Sequence, residues 1–479
     1  MNKVSFVLDD KIHEIDFTNS SYKPTTTVLK FLRSLRGHKG VKEGCGEGDC
    51  GACTVVLAEL DGNRLVYKAV DSCLIFLPML HGKQLITIEN LPDENGALHP
   101  VQQAMIDCYA SQCGYCTPGF VMSLLALYKS NTNATKEVIL DAITGNLCRC
   151  TGYLPIIEAA EKACAIKEKD ILSKKEKHTI QLLKQINIRE TITIRTKEQH
   201  YFKPFSLEEA LDLKNKYPDA QIIAGNTDTG LRVTKKHELL ALLIDVSAVD
   251  VLKTITETQQ SISIGAGITI EKFKEVAEKY FPALYKMLAV FGSKQIRSIA
   301  TVGGNIGSAS PIGDTLPVLM AYDAVVAVCS KNDSRVINIG DFIKSYRTTD
   351  LRKDEIIYSV GIPFPDRNRI IKSYKVSKRK DLDISTCSAG FMIELNIKDN
   401  TVKDIILAFG GMAATTKRAA ESEKYIIGKK WTKIVVEQAA EILYKEFTPL
   451  SDARSGEEFR RVASRNLLWK FYEETSAKK

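Results

Sequence analysis

The sequence predicts an α+β multidomain protein, and three observations carry that expectation. The chain has 479 residues, which at roughly 150 residues per domain suggests about three domains. Ten of its 12 cysteines lie before residue 165, and only Cys329 and Cys387 follow. The first third therefore holds a chemistry that the remainder lacks. The hydrophobic pattern also shifts along the chain, from strands to helices, then to a mixture of both, then to strands followed by helices.

Composition narrows the class. Hydrophobic residues make up 44% and charged residues 26%, the balance of a soluble globular chain. No apolar run approaches the roughly 18 residues of a membrane span, so no membrane association is expected. The opening MNKVSFVLDDKIHEIDF has no basic segment followed by an apolar one, so it does not read as a secretory leader. The expectation is a cytoplasmic protein, where disulfides are rare. The net charge of +8 comes from 66 basic against 58 acidic residues and reads as a solvated surface. No basic stripe with interleaved aromatics suggests nucleic acid.

Residues 3–17 alternate apolar and polar around Asp9 and Asp10, the mark of a β-hairpin. VLKFLRSL (28–35) has helical spacing and stops by Gly37. After a cysteine-rich loop, CTVVLAEL, DGNR and LVYKAV read as strand, turn and strand. Together these form a β-grasp-like α+β unit over 1–87. From Pro100, VQQAMIDCYASQC, FVMSLLALYKS, EVILDAIT and YLPIIEAAEKACAI all have helical spacing, giving an all-α unit over 88–165. The charged stretch KEKDILSKKEKHTIQLLKQ lies in an expected linker, 166–196. Short strands between helices, with glycines at the strand ends, predict an α/β domain over 197–370. The segments FMIELNI and VKDIILAFGG, followed by EQAAEILYKEF and EFRRVASRNLLWKFYEE, predict a small α+β domain over 371–479.

Within CGEGDCGACT, Cys45, Cys50 and Cys53 have C-x4-C-x2-C spacing, and Cys73 lies further on. This is the plant-type ferredoxin arrangement for a [2Fe–2S] cluster. Four thiolates on two irons need a tightly wrapped loop, and Gly44, Gly46, Gly48 and Gly51 free the backbone to aim N–H groups at sulfur. A zinc site also uses four thiolates, but zinc knuckles favour paired C-x2-C units. A second set follows. QCGYCTPG supplies Cys113 and Cys116, and NLCRCTGY supplies Cys148 and Cys150, a plausible second four-thiolate site in the helical unit. Cys108 also gives C-x4-C-x2-C with Cys113 and Cys116. It sits inside a helical run without local glycine and reads as a small buried residue, as do Cys164, Cys329 and Cys387.

Two glycine-flanked loops stand out in the third unit. IIAGNTDTGL (222–231) follows a strand and can cradle a pyrophosphate, although it is no G-x-G-x-x-G fingerprint. SIATVGGNIGSASPIGDTLPVLMA (298–321) is the second, where close approach to a ligand competes with turns and tight helix packing.

CGEGDCGACT, QCGYCTPG and LCRCTGY, in that order and spacing, resemble the two iron–sulfur domains of the molybdenum hydroxylases, the xanthine dehydrogenase and aldehyde oxidase family. The resemblance extends over essentially the whole chain. It implies a ferredoxin-like domain, a helical-bundle domain binding a second [2Fe–2S] cluster nearest the molybdenum, a PCMH-like FAD-binding domain, and a small C-terminal domain like that of the CO dehydrogenase flavoprotein. It implies FAD contacts from Ile222, Ile223, Ala224, Gly225, Asn226, Thr227, Asp228 and Thr229. It implies others from Phe291, placed beside the flavin ring, and from Thr301, Gly304, Asn305, Asp314, Ile357 and Lys375. The family's long molybdenum-binding portion has no counterpart here, so the resemblance implies a small subunit of a two-gene enzyme. Molybdopterin and the purine pocket would be on a large partner subunit, in a dimer of such pairs, and no catalytic residue for purine hydroxylation would lie on this chain. The implied route is molybdenum, helical-domain cluster, ferredoxin-like cluster, FAD and NAD, during oxidation of hypoxanthine and xanthine to urate. An aldehyde, nicotinate or other heterocycle hydroxylase would carry the same motifs, and a structural zinc scaffold is the reading from another class. Within KVSKRKDLDIS (375–385), Leu382 stands where vertebrate relatives are acidic, and charge near a flavin bears on its choice of acceptor.

Overall fold

The computed structural model describes residues 2–130, 134–166 and 170–476. It divides into two compact units. The first comprises residues up to Leu213 with Asp219–Val249 and Gly292–Ala300, and the second comprises Lys214–Pro218, Asp250–Phe291 and everything from Thr301. The region 197–370 thus contributes to both.

In the first unit the expected hairpin pairs Lys3–Leu8 with Lys11–Asp16. Asp9 and Asp10 take φ of +52° and +59°, the left-handed pair that a two-residue hairpin turn requires. A five-stranded sheet forms in the order Lys11–Asp16, Lys3–Leu8, Gln84–Ile86, Thr54–Asp61 and Arg64–Asp71. Strand alternation then builds two cores. Val55 and Leu57 face the core shared with helix Val28–Ser34, while Val56 and Ala58 face the core shared with the helical domain. Helix Val28–Ser34 begins at Thr27, whose hydroxyl accepts the Lys30 amide at 3.2 Å.

Four helices, Pro100–Asp107, Thr117–Lys129, Lys136–Ile143 and Leu154–Ala165, make the all-α part. The expected linker contains a fifth, Ile171–Ile186, while its residues 167–169 lie outside the described residues. Charge concealed its helical stripe: Leu172, Leu183 and Ile186 are buried in the helical core, and the lysines face outward. A second sheet places Ile192–Arg195, His200–Lys203, Leu242–Asp245 and Gln221–Ile223 side by side, with the last three parallel.

The second unit holds a five-stranded antiparallel sheet and a four-stranded sheet. The four-stranded sheet, built on Arg369–Val376, Cys387–Leu395 and Val402–Gly410, packs with helices Lys433–Glu446 and Glu457–Ser476. Among the described residues no helix is long and apolar enough to cross a membrane.

Candidate cofactor sites

The first cysteine loop is shaped by backbone geometry that only glycine adopts at low cost. Gly46, Gly48 and Gly51 have φ of +65°, +80° and +69°. The resulting curl directs the amides of Glu47 and Asp49 at the Cys45 sulfur, each at 3.4 Å. Cys45 and Cys50 hydrogen-bond as a pair, as do Cys53 and Cys73. The bond from Cys50, helped by the two amides, lowers the Cys45 thiol to about 5 and raises that of Cys50. Cys53 and Cys73 are buried.

The second set gathers where two helices begin. Cys116 is the residue before helix Thr117–Lys129, and Cys148 and Cys150 precede helix Leu154–Ala165. Cys116 pairs with Cys148, and Cys113 with Cys150. Thr151 points its amide (3.4 Å) and its hydroxyl (3.2 Å) at the Cys148 sulfur. Burial and the Cys148 thiol raise Cys116 to about 12. Cys113 and Cys150 are exposed. Cys108 ends helix Pro100–Asp107 and packs against the helical core. Cys387 is buried as expected, whereas Cys108, Cys164 and Cys329 are only half-buried; burial raises Cys329 to about 11 and Cys387 to about 12.

Among the described residues, no three His, Cys, Asp or Glu side chains converge as they would on a single ion. The thiols instead close in twos, and this fits a two-iron cluster in which each iron takes two thiolates. When bound, such clusters supply one-electron transfer. The residues in hand supply thiolates, amide donors to sulfur and a tight loop.

Sequence reasoning missed what joins the two sets. The Leu147 amide donates to the Cys50 carbonyl at 3.0 Å. Beside it, the buried Asn146 side chain donates to the Gly51 carbonyl at 3.2 Å and accepts from Ser123 (2.6 Å) and Gln295 (2.8 Å). Asp71, two residues before Cys73, was also missed. It is fully buried with its Oδ1 3.7 Å from the Cys53 sulfur, and its Oδ2 has no partner among the described residues. A charged residue at the buried end of a strand beside a ligand candidate was the available signal.

The residues expected at FAD fall into both units. In the first, strand Gln221–Ile223 runs into Ala224 and Gly225, where a Cβ would lie 1.9 Å from the Ile299 carbonyl. Asn226 follows at φ +61°, then Thr227, Asp228 and Thr229, which opens helix Thr229–Thr234. The Asn226 amide donates to the Leu74 carbonyl at 2.8 Å, and its buried Oδ1 has no partner among the described residues, an acceptor that a ligand donor would complete.

In the second unit, Thr301 caps helix Val302–Gly307 by accepting from the Gly304 amide at 3.1 Å. Gly304 and Gly307 are exposed and bare of side chain. Asn305 accepts from the Thr315 hydroxyl. Asp314 accepts from Lys375 at 2.8 Å and from Ser385 at 2.5 Å. Lys375 also donates to the carbonyl of Val290, next to Phe291, at 3.0 Å. Ile357 approaches Gly307, whose Cβ would lie 3.2 Å from the Ile357 Cδ1. These residues share one hydrogen-bonded neighbourhood with an uncovered glycine face, which suits close approach of a ligand. Leu382 takes φ of +70°.

Two sets of paired thiols and two small-residue loops are on this chain, and together with the domains they fall in they define the class as an iron–sulfur flavoprotein. Domain comparisons agree in order along the chain. Residues 13–77 match the 2Fe-2S iron-sulfur cluster binding domain, and 87–161 match the [2Fe-2S] binding domain. Residues 194–365 match the FAD binding domain in molybdopterin dehydrogenase, and 372–475 match the CO dehydrogenase flavoprotein C-terminal domain. Xanthine dehydrogenase of Calliphora vicina is 31% identical, with 94% of this chain and 37% of the relative aligned. Xanthine dehydrogenase/oxidase of Gallus gallus is 30% identical, with 98% of this chain and 40% of the relative aligned. The chain therefore spans 37–40% of the length of these relatives. It belongs to the xanthine dehydrogenase-like molybdenum hydroxylases, as their iron–sulfur and FAD electron-transfer portion.

Solved structures share the fold. CO dehydrogenase from Oligotropha carboxidovorans aligns with a TM-score of 0.54 at 21% identity, covering 60% of this chain and 100% of that one. Quinoline 2-oxidoreductase from Pseudomonas putida 86 aligns at 0.51 and 23%, covering 57% and 95%.

Proposed function

We propose that this chain is the electron-transfer subunit of an NAD-dependent xanthine dehydrogenase. Electrons would come from a molybdenum centre on a partner large subunit. They would pass through a cluster on Cys113, Cys116, Cys148 and Cys150, then one on Cys45, Cys50, Cys53 and Cys73, then FAD, and reach NAD. The overall reaction would be oxidation of hypoxanthine and xanthine to urate, and the assembly a dimer of small–large pairs. The observation that carries the relay is the Leu147–Cys50 hydrogen bond, which places the two thiol sets one backbone contact apart.

Exposure supports the order. Cys113 and Cys150 are open at the outer set, while Cys53 and Cys73 are buried at the inner one, where Leu74 meets the Asn226 loop. An entry centre needs access to a partner, and an inner one does not. FAD suits the last position because it accepts single electrons and releases a hydride to NAD. The named relatives support xanthine as substrate.

The test is iron and flavin quantitation with EPR on the chain, then a substrate and acceptor panel on the complex purified with its large subunit. Two reduced-cluster signals, bound FAD and NAD-linked hypoxanthine oxidation are expected. Turnover of aldehydes, nicotinate or another heterocycle without hypoxanthine would reassign the substrate. A colourless zinc protein would overturn the whole reading.

A further inference from the structure

The segment expected to hold FAD in the first unit, and the helix that follows it, are both moored to the inner cysteine loop. Midway along the segment, the Asn226 side-chain amide donates to the carbonyl of Leu74 at 2.8 Å, and Leu74 directly follows Cys73. Gly230 makes room for this contact. A Cβ there would lie 3.2 Å from the Asn226 Nδ2 and 3.3 Å from the Leu74 carbonyl oxygen. Asn226 is held in the left-handed region, and its own carbonyl accepts from the Gly230 amide at 2.8 Å. At the far end, Lys235 closes helix Thr229–Thr234 and donates to the Cys45 carbonyl at 3.2 Å, with Glu47 at 3.3 Å. Leu231 and Val233 between them pack on the core that contains Cys53, Cys73 and Leu74. One short segment therefore touches the backbone beside both thiol pairs of the inner set.

We propose that Asn226 couples the two cofactor sites thermodynamically, so that the inner cluster stabilises FAD binding and FAD stabilises the inner cluster. This rests on the proposed cofactor assignment and goes beyond it. Ligation at Cys73 fixes the Leu74 carbonyl, and that carbonyl fixes the rotamer of Asn226, whose Oδ1 is left buried and, among the described residues, unpartnered. A ligand donor reaching that oxygen would meet an acceptor already oriented by the cluster loop. Coupling between two binding sites is reciprocal, so either cofactor must tighten the other by the same factor. Asn226 is a positioning residue here: it acts on the cluster through Leu74.

The experiment uses the full chain with clusters assembled. FAD is removed and added back, and its dissociation constant is read from flavin fluorescence. Iron loss from the inner cluster to a chelator is followed by its EPR signal, with and without saturating FAD. Wild-type protein is expected to lose inner-cluster iron about tenfold more slowly with FAD bound. Asn226→Gly keeps the backbone conformation but removes the side chain. Asn226→Asp keeps the shape but puts a carboxylate against the Leu74 carbonyl. Both are expected to bind FAD about tenfold more weakly and to lose inner-cluster iron at one rate regardless of FAD. The outer cluster's rate should not respond in any of the three. An unchanged FAD effect on inner-cluster iron loss in Asn226→Gly, or none in wild type, overturns the coupling. A chain that takes up neither iron nor FAD instead defeats the cofactor assignment.

Discussion

The carbonyl of Cys50 accepts the amide of Leu147 at 3.0 Å, joining a residue of the first thiol set to the neighbour of Cys148 in the second. The two cysteines are 98 positions apart in sequence, yet their loops share a main-chain hydrogen bond and the Asn146 side chain. Buried backbone groups must find partners. Here the carbonyls of the first loop find the Leu147 amide and the buried Asn146 side chain of the second, so one backbone bond and one buried side chain fix the spacing between the sets.

If the paired thiols are the ligands, Cys53→Ser and Cys148→Ser each remove one cluster. Iron should fall from about four to about two atoms per chain in either variant. Each should abolish a different one of the two reduced-cluster EPR signals. Cys108→Ser should leave both signals and the full iron content, because Cys108 ends a helix and packs on apolar residues. Loss of half the iron in Cys108→Ser would return that cysteine to the ligand set.

Gly51 and Gly62 share nearly the same φ, +69° and +62°, and separate conformation from crowding. A Cβ on Gly62 meets open space, so Gly62→Ala should cost only the left-handed penalty of about 1–2 kcal/mol. A Cβ on Gly51 would lie 2.3 Å from the Gly145 carbonyl and 2.5 Å from the Asn146 Nδ2. Gly51→Ala must therefore push the two cysteine loops apart. Expected losses are more than about 3 kcal/mol in denaturant unfolding and both cluster signals at once. Equal stability of the two variants would show that the loops do not press on each other.

Much of this was legible because spacing along the chain mirrors chemistry. A C-x4-C-x2-C loop rich in glycine marks a cluster wherever it occurs, and the Asp9–Asp10 hairpin follows from local turn chemistry. What stayed hidden was of two kinds. Partners such as Asn146 and Gln295 are 149 positions apart and look like ordinary polar residues until the fold buries them together. Helix Ile171–Ile186 reads as linker in the sequence because its charged face outnumbers its apolar stripe. Periodicity, not composition, held the answer there. The pairing of thiols within each set was also illegible, since spacing does not say which sulfurs meet.

Asp314 and Lys375 form an ion pair at 2.8 Å in which both side chains are more than nine-tenths buried. Removing one partner leaves the other charge buried and uncompensated. Lys375→Met should therefore destabilise the protein by about 3–5 kcal/mol, measured by denaturant unfolding. Asp314→Asn combined with Lys375→Met should recover most of that loss, because neither charge remains. Flavin content separates the pair's structural from its binding role. If these residues also hold FAD, the double variant regains stability without regaining flavin.

Asp170 opens helix Ile171–Ile186, accepting the Ser173 amide at 2.6 Å, and its buried carboxylate lies 3.1 Å from Lys129 and 3.6 Å from His99. Burial pushes this carboxyl up, but His99, the Ser173 amide and Lys129 outweigh it and hold it well below the usual carboxylate range. A carboxyl depressed in the folded state binds fewer protons there than in the unfolded chain at the same acid pH, so stability falls as pH falls. The contribution is complete above about pH 4, the ordinary value for an unfolded aspartate, and drains away below it. Asp170→Asn keeps an acceptor at the helix start but removes the charge opposite Lys129. Wild type should exceed this variant by about 2–3 kcal/mol at neutral pH. The gap should be flat down to about pH 4 and then narrow with further acid. Denaturant unfolding of both proteins from neutral pH to about pH 3 reads this directly. A gap that stays constant through that range would mean that the Asp170 charge does not hold the helix to the bundle.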